Sequence, residues 1–491
     1  MSEQEKVIKE KKKPNFFEAV SMIVVLLALV IYSVKFDISI IPAMFIAIVW
    51  SMLIAFKCGY TWDELLNPVY EREKGVMGVF FIILLIGAFI GIMLYSGTIP
   101  TIIYYLIKII SPSWMIVLTF VVCAVVSVII GTSWGTAGTV GVIMIAIAQS
   151  MGLPIPIIAG AVASGSHVGQ LCTPMADTTN VAASFADIDT MEMIKRCAYY
   201  TIPTIILGTI AYLVLGLSYS SSAASMETAE LISNEIKSTF NVNPLVMLPM
   251  VVVFFMTFKK KPIVQTLGVT CIIGLIFGMI FNGFSFNSGL EVLYNGFSLS
   301  GTLGVDEANY SSIFINLCDR GGAMSMISPA LIVIVAAMYG TILMEVKALD
   351  VIADTLFSKI HNRVLLNISA ILLATLIVGL TSSSFLAGMM PRDLFLKKFE
   401  EEGMDSSDLV SSAVSASTQH LTCIPWCDTA VFIAGIAGVS TLSYLPYNFF
   451  GWGCSVMAII LSIVGIGFKN GKRFWKINTE KASASVNEES L

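Results

Sequence analysis

Apolar stretches long enough to cross a lipid bilayer recur along this chain, with short polar segments between them. A transmembrane helix needs ~20 predominantly apolar residues, and all of these stretches except 244–258 approach that length. They lie at 16–34, 38–56, 76–96, 113–131, 197–217, 244–258, 262–281, 328–345, 364–381 and 446–468. The pattern predicts an all-α polytopic membrane protein with about 10–12 membrane spans, some of them interrupted by polar residues.

The composition agrees with a membrane setting. Of the 491 residues, 56% are hydrophobic and 12% are charged, and the mean hydropathy is +0.85. A soluble domain carries about 25% charged residues. The formal net charge of −5 is small and spread over the polar segments, so no nucleic-acid partner is expected.

A duplication links two distant parts of the chain. Residues 152–178 align without a gap with residues 403–429, at an offset of 251 positions. The pairs matched at this offset are Ser164 and Ser415, Ser166 and Ser417, Cys172 and Cys423, Pro174 and Pro425, Asp177 and Asp428, Thr178 and Thr429, and, further upstream, Ser133 and Ser384. Polar, proline-interrupted segments duplicated within an apolar chain are typical of secondary transporters, whose substrate site lies near the middle of the bilayer.

The distribution of lysine and arginine predicts that the two copies enter the membrane from opposite faces. Cytoplasmic segments are enriched in these residues, which cluster in both chain termini, at 57–74 and at 259–261, whereas 282–327 is poor in them. Two inverted-topology repeats are therefore expected. The predicted organisation is an N-terminal cytoplasmic tail with two scaffold helices (1–75), a first repeat (76–217), outer loops with connecting helices at 244–281 (218–327), a second repeat (328–468) and a cytoplasmic tail (469–491).

Within each copy, a patch rich in Gly, Ser and Thr precedes the proline-containing segment. The patches are GTSWGT at 131–136 and TSSSF at 381–385. They suit re-entrant hairpins or broken helices, because small residues permit close backbone approach and hydroxyls satisfy freed backbone groups. Helix packing through small residues, as in GxxxG motifs, is the alternative.

Each proline-containing segment also carries a carboxylate. Proline frees the carbonyl four residues earlier, and carbonyls, hydroxyls and a carboxylate together suit a small hard cation such as Na⁺. An intramembrane carboxylate is costly unless it is paired or lines a cavity, so Asp177 and Asp428 are functional candidates, with loop acids outside the membrane as the alternative. The candidate sodium-binding residues are Asp177, Thr178, Asn180, Thr173, Asp428, Thr429, Ser133 and Ser384.

These motifs resemble those of the NhaC-type sodium/proton antiporter family, part of a wider superfamily of ion-coupled transporters, along nearly the whole chain. The motifs that carry the resemblance are GTSWGT at 131–136, ASG at 163–165, PxxDTTN at 174–180, IPW at 424–426 and YLPY at 444–447. The resemblance implies two inverted repeats with re-entrant hairpins, coupling to Na⁺ and an elevator-like movement of the repeats. Because the family includes sodium/proton antiporters, a malate/lactate exchanger and proteins assigned to amino-acid uptake, the resemblance leaves the solute open.

The chain departs from the family pattern beside the candidate site. Gln170 stands where the family usually has an acid, and Cys427 stands where an asparagine usually follows Ile-Pro-Trp. His167 and His420 lie in matching elements, and histidine, which titrates near about pH 6.5, is a candidate proton carrier; hydrogen-bonded packing or substrate binding is the alternative. Candidates for proton or substrate contact are His167, His420, Gln170, Trp134, Arg392, Asp393 and Ser383. For the adjacent Arg-Asp pair in this set, a local ion pair is the alternative.

We predict a sodium-coupled secondary active transporter of the plasma membrane, with both termini in the cytoplasm. Sodium/proton antiport is the first hypothesis, because that activity is frequent in the family that the chain resembles. Sodium-coupled uptake or exchange of an amino acid or a short (hydroxy)carboxylate such as malate or lactate is the alternative, favoured by the changes at Gln170 and Asp428. Neither enzymatic activity nor a cofactor is expected, and the coupling ions are Na⁺ and, for antiport, H⁺. The expected partners are small solutes, ions and membrane lipid, with a homodimer as the candidate assembly.

Overall fold

The computed structural model describes residues 11–36, 38–219, 223–357, 360 and 362–465. Over these residues the secondary structure is helical, apart from one isolated bridge between Phe297 and Arg320. Nine of the described helices are long and apolar enough to cross a membrane, or up to eleven if two bent helix pairs each form one span. This confirms the predicted all-α polytopic fold. The predicted tail at 469–491 and the lysines within residues 1–10 lie outside the described residues.

The first two helices pack against the second half of the chain. Helices α1 (Phe16–Lys35) and α2 (Ile40–Lys57) contribute their buried faces to one hydrophobic cluster that also includes residues beyond position 330. Within this cluster, the Tyr339 hydroxyl donates a hydrogen bond to the Met22 carbonyl at 3.0 Å. These contacts are consistent with the scaffold role predicted for the two helices.

Helix α3 (Trp62–Tyr95) is longer than the span predicted at 76–96. It starts at a capping box between Thr61 and Glu64, and buried leucine and valine side chains follow within its first two turns. The polar segment between the spans predicted at 38–56 and 76–96 is therefore helical from residue 62 onwards. The charged residues at the end of this segment continue an amphipathic helix, whose apolar face is buried.

The first repeat continues from α3 through helices and breaks. Its elements are α4 (Thr98–Leu106), α5 (Pro112–Ile130), α6 (Ser133–Thr136), a π-helical turn (Ala137–Gly141), α7 (Val142–Ser150), α8 (Ile155–Cys172), α9 (Asp177–Phe185) and α10 (Thr190–Ser218). Helix α8 is a candidate span that the apolar pattern did not predict, because its small and polar residues lower its mean hydropathy to 1.2. Gly169 lets α8 approach α5 closely, since a Cβ there would lie 2.1 Å from the Ser127 carbonyl oxygen.

The segment between the repeats combines two apolar helices with a loop that packs against α3. Its helices are α11 (Ala223–Thr239), α12 (Leu248–Phe258), α13 (Ile263–Phe281), α14 (Phe286–Asn295), α15 (Leu299–Leu303) and α16 (Ser312–Cys318). The amide of Gly322 donates to the Gly87 carbonyl at 2.7 Å. A Cβ at Gly87 would lie 2.4 Å from the Gly322 carbonyl oxygen, so this contact requires glycine.

The second repeat follows the same order of elements. Its helices are α17 (Ile327–Glu345), α18 (Ala348–Phe357), α19 (Arg363–Thr381), α20 (Ser384–Glu401), α21 (Ser406–Ser417), α22 (Asp428–Ala437), α23 (Thr441–Tyr444) and α24 (Phe449–Val464). Helices α22 and α23, with the short turn that follows them, form one of the two bent pairs, at an angle of 88°.

Equivalent positions of the two repeats share their local backbone structure. Gly131 ends α5 and Ser382 ends α19, both in the left-handed region with φ of 81° and 51°. The following helices begin at the equivalent residues Ser133 and Ser384. We call the helix–break–helix units hairpin 1 (α5 to α7) and hairpin 2 (α19 to α20). The duplication read from the sequence is thus reproduced in the backbone.

The tip of each hairpin contacts the other repeat. Trp134 of hairpin 1 stacks on Phe432 of α22, with ring centroids 4.7 Å apart. The equivalent Phe385 of hairpin 2 packs edge-on against Phe185 of α9 at 4.9 Å. The two repeats therefore interlock around the breaks that follow α8 and α21.

Candidate functional site

Two breaks in the helices form the framework of the candidate site. Break 1 (173–176) separates α8 from α9, and break 2 (423–427) separates α22 from the 3-10 turn that ends α21. Asp177 and Asp428 are the first residues of α9 and α22. A helix N-terminus carries the positive end of the helix dipole, which favours an ionised carboxylate.

Hairpin 1 touches break 1 at Gly131. A Cβ at this position would lie 2.7 Å from backbone atoms of Met175, so the contact requires glycine on steric grounds, and the positive φ also favours glycine. On the other side, Lys260 at the end of α12 places its Nζ 2.6 Å from the Met175 sulfur. Break 1 is therefore held between hairpin 1 and the connecting helices.

A hydrogen-bonded network joins three of the predicted site residues. Gln170 Nε2 donates to Ser133 Oγ at 2.8 Å, and Thr178 Oγ1 donates to Gln170 Oε1 at 2.6 Å. The Thr179 hydroxyl donates to the Gln170 carbonyl at 2.8 Å. Gln170, noted in the sequence as the place of a missing acid, thus connects hairpin 1 to the start of α9.

Two further predicted ligands stabilise the shape of break 1. The Asn180 amide donates to the carbonyls of Pro174 at 3.0 Å and Ala176 at 3.1 Å, and its oxygen accepts from Thr190 at 3.0 Å. Thr173 Oγ1 accepts a hydrogen bond from the backbone amide two residues later, at 3.3 Å. These side chains are engaged with the protein, so their contribution is to orient the carbonyls of the break.

A cavity of about 190 Å³ lies between α9 and hairpin 2. Asp177 and Thr178 line it from the first repeat, and Ser384 and Phe385 line it from the second. Asp177 is exposed, whereas Ser384 is partly buried. One carboxylate residue and two hydroxyl residues, drawn from both repeats, therefore line one small space beside apolar side chains such as Val181 and Phe185. Carboxylate and hydroxyl oxygens are ligands that a hard cation prefers.

Break 2 is tied to the end of α19. Trp426 Nε1 donates to the Gly379 carbonyl, and Cys427 Sγ donates to the Val378 carbonyl at 3.5 Å. Asp428 Oδ1 accepts from the Thr429 amide at 2.6 Å and from the Thr429 hydroxyl at 3.1 Å. Thr429 thus orients Asp428 at the start of α22.

Arg72, which lies in the lysine- and arginine-rich segment at 57–74, is a further residue of this region. It lies on α3, and its Nη2 donates to the carbonyl of Thr381, the last residue of α19, at 2.6 Å. The guanidinium is close enough to Asp428 for electrostatic attraction. The helix-capping motif at residues 61–64 was the sequence signal that α3 starts early enough to carry Arg72.

The two histidines lie within the repeats but outside this hydrogen-bonded network. His167 is buried in α8, with Nδ1 3.5 Å from Ser166 Oγ, and its Nε2 has no hydrogen-bond partner among the described residues. His420 Nδ1 donates to the Ala416 carbonyl at 2.9 Å and lies 3.4 Å from Ser455 Oγ. The His167 ring therefore lies near a serine hydroxyl, and the His420 ring lies near a serine hydroxyl and a backbone carbonyl.

Arg392 and Asp393, the adjacent charged pair noted in the sequence, lie on α20 and do not line the cavity. Arg392 forms ion pairs with Asp187 at 3.2 Å and with Asp393 at 3.9 Å, and its Nε donates to Ser406 at 3.3 Å. Asp187 is 79% exposed. Ser383 accepts from a backbone amide at 3.4 Å as the N-cap of α20. These contacts agree with the local ion pair that was the alternative for Arg392.

Sequence reasoning also missed a buried ion pair between the repeats. Arg196 of α10 is 2% exposed and its Nη1 donates to Asp408 of α21, which is fully buried, at 2.8 Å. Glu192 and Asp405 lie within 3.2 and 3.8 Å of the same guanidinium. Asp408 of α21 and its N-cap Asp405 lie 212 and 209 positions after Arg196 in the sequence. No local pattern could therefore have revealed the pairing.

Interrupted helices at duplicated positions, with acids at the breaks, define the architecture of an ion-coupled secondary transporter. The profile of the Na⁺/H⁺ antiporter family matches residues 11–174 and 165–466. The chain therefore belongs to the Na⁺/H⁺ antiporter family, which confirms the resemblance found in the sequence.

Relatives within the family cover nearly the whole chain. The chain is 31% identical to the malate-2H⁺/Na⁺-lactate antiporter of Bacillus subtilis (strain 168), over 97% of this chain and 99% of that protein. It is 32% identical to an uncharacterized Na⁺/H⁺ antiporter of Haemophilus influenzae, over 94% of this chain and 98% of that one. It is also 27% identical to the Na⁺/H⁺ antiporter NhaC of Alkalihalophilus pseudofirmus, over 91% and 94% of the two chains.

Proposed function

We propose that this protein exchanges Na⁺ for H⁺ across the membrane, and that Na⁺ binds where break 1 meets hairpin 2. The observation that carries this proposal is the cavity that Asp177 and Thr178 share with Ser384. The hydrogen bonds from Thr178 through Gln170 to Ser133 support it, because they fix hairpin 1 beside the same residues.

Break 2 supplies a second candidate cation site in the other repeat. Asp428 and Thr429 take the positions that Asp177 and Thr178 take in break 1. Carbonyls freed at a proline-containing break can complete the coordination of each ion. The engaged side chains of Thr173 and Asn180 orient the carbonyls of break 1.

The histidines are the proposed proton carriers. Gln170 cannot titrate, whereas histidine changes charge near neutral pH. His167 is buried, and its Nε2 has no protein partner among the described residues. Hydrogen-bonded packing remains the alternative role for His420, whose Nδ1 already binds a carbonyl.

Sodium-coupled exchange of a small carboxylate or an amino acid is the second candidate function. It is favoured by the relative from Bacillus subtilis whose name assigns it malate and lactate, and by the replacement of an acid by Gln170. Under either function, the protein is a multi-pass transporter rather than an enzyme. We place it in the plasma membrane with both termini in the cytoplasm, and a homodimer is the proposed assembly.

One experiment separates the two functions. Purified protein in liposomes is given an inward Na⁺ gradient, and internal pH is followed without any organic solute. Antiport predicts a sodium-driven pH change, and His167→Gln combined with His420→Gln should eliminate it because no carrier remains. Solute-coupled transport predicts little pH change and a sodium-22 flux that requires solute. Sodium-driven pH change that persists in the double variant would rule out the histidines as carriers.

A further inference from the structure

Arg72 brings a positive charge to the tip of hairpin 2. Its Nη2 donates to the Thr381 carbonyl at 2.6 Å, across 309 positions of sequence. This bond uses only part of the guanidinium, since Nε is buried and has no hydrogen-bond partner among the described residues.

Other polar atoms beside Arg72 also lack protein partners. Both carboxylate oxygens of Glu73 and the Ser382 hydroxyl are buried without a hydrogen bond within the described part of the chain. Ser382 directly follows Thr381, to which Arg72 binds. Buried polar groups in folded proteins are nearly always hydrogen-bonded, so a group of such atoms around one guanidinium indicates a site for a polar ligand.

A negative charge lies at the same place. The Val378 carbonyl accepts both the Ser382 amide at 2.8 Å and Cys427 Sγ at 3.5 Å, which places hairpin 2 beside break 2. Asp428 follows Cys427, and its Oδ1 is occupied by Thr429. Its Oδ2 is the oxygen that remains for a ligand. Arg72 attracts Asp428 electrostatically from beyond the 4 Å of a direct ion pair.

We propose that Arg72, Ser382 and Asp428 form a solute site for small carboxylates that carry a donor group on the neighbouring carbon. The solute carboxylate binds the guanidinium, which matches carboxylates with parallel hydrogen bonds. Its α-hydroxyl or α-ammonium group donates to Asp428 Oδ2 or to Ser382. This inference rests on the solute-coupled form of the proposed function and names its binding site.

The two breaks would then have different tasks. Asp177 lines the cavity at break 1 together with Thr178 and Ser384, one from each repeat. The described residues that line this cavity include no lysine, arginine or histidine. Asp428 lies opposite Arg72, which lowers the attraction of that site for a second Na⁺ and provides the complementary charge for a carboxylate. A site with both charges selects against simple cations and against carboxylates that lack the donor group.

The test measures binding and transport separately. Purified wild type, Arg72→Gln and Arg72→Lys are compared with the control Lys74→Gln, whose lysine is exposed and pairs with the neighbouring Glu71. Thermal stabilisation by L-malate, L-lactate, L-alanine and propionate is recorded in the presence of Na⁺, and sodium-22 uptake into liposomes is recorded with the same solutes. Stabilisation by Na⁺ alone is recorded in parallel, because it reports the site at break 1.

In wild type, we expect at least one of the hydroxy or amino acids to stabilise the protein more than propionate does. Arg72→Gln should lower the affinity for that solute by about tenfold or more, since it removes a charge-assisted contact. Arg72→Lys should give an intermediate loss, because lysine keeps the charge without the planar fork. Stabilisation by Na⁺ alone should be unchanged in these variants and in Lys74→Gln.

Unchanged solute affinity in both Arg72 variants would overturn the proposed site and assign Arg72 the role of a cap on the Thr381 carbonyl. Absence of any solute effect in wild type would overturn it as well, while leaving sodium/proton exchange standing. A wild type that shows no sodium effect would instead contradict the proposed cation site at break 1. The malate, lactate and alanine measurements show whether the donor group is a hydroxyl or an ammonium.

Discussion

At the scale of single residues, Asp177 and Asp428 show how a duplicated sequence yields two different environments. Both acids start a helix after a proline-containing break. Asp177 is exposed to a cavity shared with hairpin 2, whereas Asp428 is partly buried and lies opposite Arg72. The difference arises because Arg72 on α3 attracts Asp428, whereas the position 251 residues after Arg72 is Ala323.

We predict that Asp177→Asn and Asp428→Asn both abolish sodium-dependent transport in a folded protein. Asparagine keeps the size of the side chain but removes the charge, which attracts Na⁺ at Asp177 and, where break 2 binds the solute, attracts the donor group of the solute at Asp428. A native-state ligand at 100 times its Kd stabilises by about 2.7 kcal/mol, so the thermal stabilisation by Na⁺ that Asp177→Asn loses is readily measured. Asp428→Asn should also lower stability without Na⁺, because Arg72 then loses one of the two carboxylates that attract it, the other being Glu73.

The matched control for these variants is Asp187→Asn. Asp187 follows α9 on the surface, is 79% exposed and has a positive φ of 52°, which asparagine tolerates. This variant should keep the full sodium effect. Two acid variants with the same sodium-dependent stabilisation as wild type would show that the proposed cation sites are wrong.

At the scale of elements, the hairpins depend on close backbone contacts. Gly131 combines a left-handed backbone with direct contact to break 1, and Ser382 takes the same backbone conformation in hairpin 2. The contrast between the two tips indicates that the conformation alone does not require glycine. What requires glycine at position 131 is the approach of Met175, whose backbone would lie 2.7 Å from an added Cβ.

We predict that Gly131→Ala destabilises the protein more than Gly152→Ala does. Both glycines have positive φ, of 81° and 68°, so alanine costs ~1–2 kcal/mol at either position. Only at Gly131 does the added methyl group meet another segment, whereas no described atom lies within 4 Å of a Cβ at Gly152. Overpacking should add about 1–3 kcal/mol.

Thermal unfolding in the presence and absence of Na⁺ measures both parts of this prediction. Gly131→Ala should also weaken stabilisation by Na⁺, because a shift of Met175 distorts the carbonyls of break 1. Gly152→Ala should leave the sodium effect unchanged. Equal losses of stability in Gly131→Ala and Gly152→Ala would indicate that hairpin 1 does not pack closely against break 1 in solution.

At the scale of the whole molecule, long-range contacts join the repeats to each other and to the segments that flank them. Arg72 binds hairpin 2, Lys260 contacts break 1, and the Arg196–Asp408 pair joins α10 to α21. An elevator-like movement, which the family resemblance implies, would have to break or carry along each of these contacts. Their positions identify where such a movement would be controlled.

We predict opposite accessibility for two surface positions on either side of α13. In a cysteine-less background, Lys261→Cys should react with a membrane-impermeant thiol reagent only from the cytoplasm, and Ala308→Cys only from outside. The reason is the enrichment of lysine at 259–261 and its scarcity at 282–327. Asp63→Cys, in the segment before the first repeat, should label from the cytoplasm. Labelling of all three from one side would contradict inverted repeats.

The sequence by itself determined the class of the protein. The apolar stretches of the sequence predict the membrane spans, because crossing a bilayer of a given thickness requires an apolar helix of a given length. The duplication located both breaks, and the family motifs gave the transport class, which the family match confirms. The polar helix α8 was missed as a span because its small and polar residues lie against other protein segments, where apolar character is not needed. Gly165 and Gly169 lie against α5, and Ser164 hydrogen-bonds to Tyr212 and Asn448.

Only the tertiary structure decided which polar residues meet. Ser133, Gln170 and Thr178 converge because α8 packs on hairpin 1. Ser384, from the other repeat, lines one cavity together with Thr178. Arg72 reaches Thr381 through a helix that starts earlier than the apolar pattern indicated. Hydropathy and local spacing describe how each segment meets lipid, whereas these contacts depend on how segments hundreds of positions apart pack together. The tertiary structure therefore made the two duplicated acids unequal.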